Sequence, residues 1–201
     1  MSETMGYSDP DEGYKKVRLG PKTVRIPSEW EVRKLDELTK NTGSYGANAS
    51  AVEYDPEKPR YIRITDIGED GFLKDEDRKS IPHDDAEGYY LSEGDLLFAR
   101  TGATAGKSYL YRENGEDAAY AGYLIQFEID KSQVDPEFLA FFVQSKLYDD
   151  WVDRTTRHGA QQNINASEYR NLDVLYPSLP EQRRIADILS EGGASTDTTA
   201  G

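Results

Sequence analysis

Asp95-Leu96-Leu97-Phe98-Ala99-Arg100-Thr101-Gly102-Ala103-Thr104-Ala105-Gly106-Lys107-Ser108-Tyr109-Leu110-Tyr111-Arg112 is the stretch on which the fold turns. Its first six residues read as a strand, because the apolar run is too short for a helix. Ser108–Arg112 reads as a second strand, closed by the Asn114-Gly115 turn signal. Gly102 and Gly106 lie between them and permit a tight turn whose backbone approaches a ligand closely. From Leu96 to Arg112 there are three bases (Arg100, Lys107, Arg112) and no acid. A hairpin tip bearing Arg100, Thr101, Thr104 and Lys107 suits contact with a nucleic-acid backbone or base edge. The plainer alternative is a glycine turn between core strands. A nucleotide-binding loop fits less well. It needs glycine, four residues, then Gly-Lys-[Ser/Thr], and it must open a helix. Counting back from Gly106 puts its first glycine at Thr101, and a strand follows.

Further strands flank this hairpin. Residues 60–67 (RYIRITDI) alternate, 118–130 form a long β-prone stretch, and Leu172–Tyr176 is a short strand. Trp30–Leu38 reads as a strand running into a helical turn. Residues 41–50 read as a polar loop, and 66–87, with nine acids against three bases, as exposed turns. One helix is predicted over 136–151: Asp135 caps it, Pro136 takes its first position, and Phe138, Leu139, Phe142, Val143 and Leu147 recur at helical spacing. A second helix starts at Glu181–Leu189, with Ile185, Ile188 and Leu189 on one face. A β-rich body, one helix, a strand and a terminal helix indicate an α+β fold.

Two other segments are free of acid. Residues 13–28 hold Lys15, Lys16, Arg18, Lys22 and Arg25. Residues 154–167 read as a loop in which Arg154, Arg157, His158, Gln161, Gln162, Asn163 and Asn165 gather donors and acceptors. Arginine matches guanine O6/N7, and asparagine or glutamine matches adenine N6/N7; a solvated connecting loop is the bland alternative. His158 reads as a loop donor rather than a base. Asp66, Asp77 and Lys79 offer half of a metal-nuclease pattern, but Asp77 and Lys79 lie inside the acidic run, where a solvated face is the default.

Composition removes whole classes. In 201 residues there is no cysteine, so disulfides, thiol catalysis and Fe–S clusters are excluded, and with only His83 and His158 so is a histidine-rich metal site. No apolar run approaches the roughly 20 residues that span a bilayer. Residues 1–14 are polar and lack the apolar core of a secretory signal, so a cytoplasmic protein is expected. The net charge of -14 argues against a generic cationic nucleic-acid coat and suits a halophilic source.

Several stretches together resemble the DNA-specificity subunit of Type I restriction-modification systems, specifically one target recognition domain. They are Ile26-Pro27-Ser28-Glu29-Trp30-Glu31-Val32-Arg33-Lys34-Leu35, Tyr61–Ile67, Gly94–Lys107, Gly159-Ala160-Gln161-Gln162-Asn163-Ile164, and Leu179-Pro180-Glu181-Gln182 through Leu189. The resemblance implies a mixed α/β recognition domain followed by a spacer helix that packs on its counterpart, each domain reading one half of a split double-stranded DNA target. It also implies that methyltransferase and restriction activities belong to separate subunits, and that this chain is not an enzyme and needs no cofactor or metal.

On this reading the chain divides into an N-terminal arm (1–25), a recognition domain (26–179), the start of the spacer helix (180–190) and a disordered tail (191–201). It departs from the family pattern in holding one recognition domain where the usual subunit has two, with a spacer helix expected to stop near Leu189; this suits a half-subunit or a truncated form. The expected DNA-contacting residues are Arg100, Thr101, Thr104, Lys107, Arg154, Arg157, His158, Gln161, Gln162 and Asn163, with Gly102, Gly106, Gly159 and Asn163 the strongest candidates for holding the fold instead. Two other readings stay open: a small nuclease or NTPase built on Asp66, Asp77 and Lys79 or on Gly102–Ser108, and a fragment that only docks a methyltransferase.

Overall fold

Leu96–Ala99 forms strand β8, all four of its side chains buried, in an antiparallel sheet ordered β4 (Ser44–Tyr45), β11 (Leu124–Phe127), β8, β9 (Ser108–Leu110). The computed structural model describes residues 13–20, 22–156 and 163–194. Leu96 and Phe98 enter one apolar cluster, with Phe127, Phe138, Leu139, Tyr148 and Tyr169. Leu97 and Ala99 enter another, with Ile62, Tyr109, Tyr120 and Leu124. Successive side chains of a strand point to opposite faces, so burial of both faces explains why this run shows no polar alternation.

Helices cover the first face: α2 (Pro136–Phe142), α3 (Lys146–Thr156) and α4 (Ala166–Arg170). A second sheet covers the other, ordered β10 (Ala118–Tyr120), β6 (Arg60–Ile62), β7 (Lys79–Ser80), β5 (Val52–Glu53). Its β10–β6 pair is parallel and the rest antiparallel. The short helix α1 (His83–Ala86) follows β7. Strand β3 (Glu31–Lys34) pairs with β12 (Asp173–Tyr176) and runs into a tight turn whose Leu35 and Leu38 are wholly buried, as Trp30–Leu38 predicts. The architecture is α+β, as the order of elements indicates.

Several boundaries differ from expectation. The helix predicted over 136–151 is two helices. Its N-terminus is as read, with the Asp135 carboxylate accepting from the Phe138 N–H at 3.0 Å, but the chain breaks over Val143–Ser145, where Gln144 reaches across to the Ser108 hydroxyl at 2.9 Å. The stretch read as a loop from 154 is helical to Thr156, so Arg154 stands on α3. Residues 60–67 are strand only to Ile62, because the Asp66 carboxylate turns the chain by accepting from the Arg63 N–H at 2.8 Å. The stretch 118–130 divides between two sheets, and the polar loop 41–50 contributes the two residues of β4.

Strands β1 (Tyr14–Leu19) and β2 (Lys22–Pro27) pair antiparallel as a hairpin, with Leu19 and Ile26 buried. Helix α5 (Leu179–Ala194) runs past the expected stop at Leu189. Its buried side is Gln182 and Ala186, whereas Ile188 and Leu189 are exposed. Arg157, His158, Gly159, Gln161 and Gln162 lie outside the described residues, as do residues 1–12 of the arm and 195–201 of the tail.

Candidate nucleic-acid interface

The turn between β8 and β9 is pinned at its base. The Tyr169 hydroxyl donates to the Ala99 carbonyl at 2.8 Å and the Tyr148 hydroxyl donates to the Gly106 carbonyl at 2.6 Å. Burial pushes both phenols up, so both remain protonated donors at neutral pH. Phe98 stacks on Tyr169 at 4.4 Å between centroids, and Trp151 of α3 stacks on Tyr148 at 5.9 Å. Gly106 has φ +94°, and a Cβ there would meet Val152 of α3 at 2.6 Å; only glycine fits this crossing.

Above this base the backbone closes on itself. The Gly106 N–H donates to the Ala99 carbonyl and the Ala105 N–H to the Gly102 carbonyl, both at 3.0 Å. The Thr104 hydroxyl donates to the Thr101 carbonyl at 2.9 Å. Gly102 and Ala103 are exposed at the tip. A short helical turn over Gly102–Thr104 passes directly into β9, not into a helix, so the nucleotide-loop geometry is absent here.

Two further segments meet the turn. Thr101 forms a β-bridge with Asn163, and the Ile164 N–H donates to the Arg100 carbonyl at 2.8 Å. The Arg100 side chain donates to the Asn163 side-chain oxygen at 3.4 Å and lies 4.8 Å from the ring centroid of Tyr45. The Arg100 backbone N–H donates to the carbonyl of Tyr123, itself a strongly exposed residue. Arg100, Thr101 and Asn163 therefore form one half-buried cluster rimmed by two exposed tyrosines, and no carboxylate of the described residues pairs with Arg100. The sequence reading missed Tyr45 and Tyr123. Lone tyrosines beside glycines, in Ser44-Tyr45-Gly46 and Gly122-Tyr123, are the signal available for them, since an aromatic ring on a polar loop is placed to stack.

The opposite side of the turn is electrostatically different. Lys107 pairs with exposed Glu69 at 2.6 Å, beside a cleft of about 230 Å³ that Asp149 and Asp153 also line. Arg154 donates to the carbonyls of Asp150 (3.0 Å) and Leu19 (3.3 Å) and packs beneath the β1–β2 turn at Gly20. Thr104 spends its proton inside the turn. Of the ten expected contact residues, the structure gathers Arg100, Thr101 and Asn163 on one side, and sets Lys107 beside the cleft lined by α3 and Arg154 on α3 itself, each with partners of its own.

The acids of the nuclease alternative are engaged with cations. Arg63 donates to Asp66 at 2.6 Å and to Asp77 at 3.3 Å, and Lys79 pairs with Asp77 at 3.0 Å and Glu53 at 2.9 Å. Among the described residues no group of three or more His, Asp or Glu is placed to hold a metal ion. No helix among them is long and apolar enough to cross a membrane.

The model of the Type I restriction modification DNA specificity domain matches residues 27–201. The chain belongs to this family. Two specificity-domain proteins of Methanocaldococcus jannaschii are similar to it. One, assigned as the type I restriction enzyme MjaX specificity subunit, is 27% identical over 192 residues, covering 90% of this chain and 42% of its own length. The other, the type I restriction enzyme MjaVIII specificity subunit, is 24% identical over 174 residues, covering 84% of this chain and 37% of its own length. The crystal structure of the HsdS subunit from Thermoanaerobacter tengcongensis shares the fold, with a TM-score of 0.62 at 17% identity over 89% of this chain and 45% of that one. The chain thus spans less than half the length of the curated specificity subunits it matches.

Proposed function

We propose that this chain reads one half of a split double-stranded DNA target, as a recognition domain serving separate methyltransferase and restriction subunits and carrying no catalysis of its own. Membership of the specificity-domain family supports the class of activity. The observation that carries the site is the Arg100–Thr101–Asn163 cluster, in which the Arg100 guanidinium bonds the Asn163 amide oxygen and Thr101 bridges Asn163 through the backbone. Guanidinium and amide are the donor and acceptor types that read guanine and adenine edges in the major groove. On this reading Arg157, His158, Gln161 and Gln162, which precede Asn163 in the sequence and lie outside the described residues, also contact DNA. Thr104 and Lys107 flank the turn, and Arg154 of α3 supports the β1–β2 hairpin. The domain occupies residues 26–179, and the helix beyond it is a spacer that joins a second recognition domain or half-subunit. The setting is a cytoplasm, of high salt in keeping with the acidic surface.

A random-oligonucleotide selection with the full chain tests this, run with and without a methyltransferase subunit. Enrichment of a short motif, with one position relaxed in Arg100→Ala, is the expected outcome. No enrichment in either condition overturns the reading.

A further inference from the structure

The β1–β2 hairpin presents a face that the recognition site does not use. In its register Tyr14 lies opposite Pro27, Lys16 opposite Arg25, and Arg18 opposite Thr23, and directly opposed residues share a face. The other face carries Lys15, Val17, Leu19, Lys22, Val24 and Ile26, of which Leu19 and Ile26 are buried against the body. The outward face is therefore Tyr14, Lys16, Arg18, Thr23 and Arg25, all exposed, with no acid anywhere in residues 13–28. The Arg25 guanidinium sits 4.4 Å from the Tyr14 ring centroid. Arg18 bonds the Gly20 carbonyl of its own turn at 2.9 Å, and no carboxylate of the described residues pairs with Lys16 or Arg18. In a chain of net charge -14, such a ribbon stands apart from the rest of the surface.

Its placement is set by α3. Lys22 pairs with Asp150, and the Arg154 guanidinium donates to the Leu19 carbonyl at 3.3 Å. Helix α3 ends at Thr156, and the segment that follows returns at Asn163 beside Arg100. Gly106 of the recognition turn packs on Val152 of the same helix. One helix thus carries the cationic ribbon and braces the recognition turn.

We infer that the outward face of this hairpin is a second DNA contact, one that grips the phosphate backbone beside the half-site without reading sequence; this rests on the DNA-reading function proposed above. Residues two apart on one strand face stand about 6.8 Å apart, roughly two steps of the ~3.4 Å rise per phosphate of one DNA strand. A ribbon with Lys16 and Arg18 at that spacing can reach two phosphates of one strand, and it has no amide side chain with which to read a base.

The test compares the full chain with Lys16→Gln/Arg18→Gln and with Thr23→Lys, measuring affinity for a selected duplex and for random duplex across salt. Each phosphate contact contributes about 0.9 to the slope of log affinity against log salt. The double substitution is expected to lower the slope by about 1.8 on both duplexes and leave the preferred sequence unchanged. Thr23→Lys adds a cation beside Arg18 and is expected to steepen it by about 0.9. Unchanged slopes in both variants, with the wild-type chain binding duplex, overturn the hairpin contact and leave the recognition reading standing. A wild-type chain that binds no duplex at any salt removes both.

Discussion

Gly106 shows how a single missing side chain sets the recognition turn. At φ +94° an L-residue is strained, and a Cβ would press into Val152 of α3 at 2.6 Å. Gly106→Ala is expected to destabilise the fold by about 1–3 kcal/mol through that strain and overpacking. Gly106→Ala/Val152→Ala relieves the contact but not the φ, so thermal unfolding of the double variant should recover part of the loss and no more. Full recovery would mean that the backbone angle carries no strain. Arg100 is the counterpart in function: truncation to alanine is expected to cost about 1–3 kcal/mol of DNA affinity and relax one position of the target. Lys107 behaves differently because Glu69 already neutralises it. A phosphate reaching Lys107 must displace Glu69, so Glu69→Gln should tighten binding to every sequence alike, whereas Lys107→Ala should weaken it alike. A titration that finds Glu69→Gln neutral removes Lys107 from the contact surface.

Among the elements, those with strong local chemistry were legible from sequence and those decided by distant partners were not. Asp95–Arg100 and Ser108–Arg112 declare themselves as strands, and Asp135-Pro136 declares a helix start. The break at Val143–Ser145 is silent because Phe142, Val143 and Leu147 keep helical spacing across it. What decides it lies elsewhere: Gln144 reaches Ser108, and the new helix buries Tyr148 rather than Leu147 against Phe98 and Trp151. The recognition turn was legible as a cationic glycine loop, but its partition was not, since nothing local to Lys107 reports Glu69 and nothing local to Arg100 reports Tyr45.

The two end motifs also meet only in three dimensions. The Trp30 indole donates to Glu181 at 3.1 Å, and the wholly buried Gln182 accepts from the Asp135 N–H at 2.8 Å while donating to the Pro177 carbonyl at 2.9 Å. Gln182→Leu leaves the half-buried Asp135 N–H and the buried Pro177 carbonyl unpaired, and is expected to cost about 1–3 kcal/mol in denaturant unfolding. The hairpin has its own clasp at Asp150. Hydrogen bonds from Lys22 and Lys146 hold that carboxyl at about 2, below its ordinary 3.8. A depressed folded-state value means the clasp stabilises above about pH 4 and is lost as pH falls toward about 2. The gap in melting temperature between wild type and Asp150→Asn should close over that window; a gap independent of pH would exclude the clasp.

At the scale of the whole molecule, the acid excess sets two salt dependences against each other. Like-charge repulsion in a chain of net charge -14 opposes folding in dilute buffer. Raising salt from about 0.1 M to about 1 M shortens the screening length from about 10 Å to about 3 Å, so the melting temperature should rise. Phosphate gripping moves the other way, since every contact returns counterions to solution and weakens as salt rises. The two contact types proposed for this chain therefore separate at high salt. The penalty of Lys16→Gln/Arg18→Gln should fade by about 1 M, while the penalty of Arg100→Ala, which arises from base-edge hydrogen bonds, should persist. Measured side by side, the pair also tests the acidic surface as a salt adaptation. A melting temperature already maximal in dilute buffer would remove that adaptation, and the ratio of the two binding penalties would then have to be explained at low salt, where phosphate contacts dominate both.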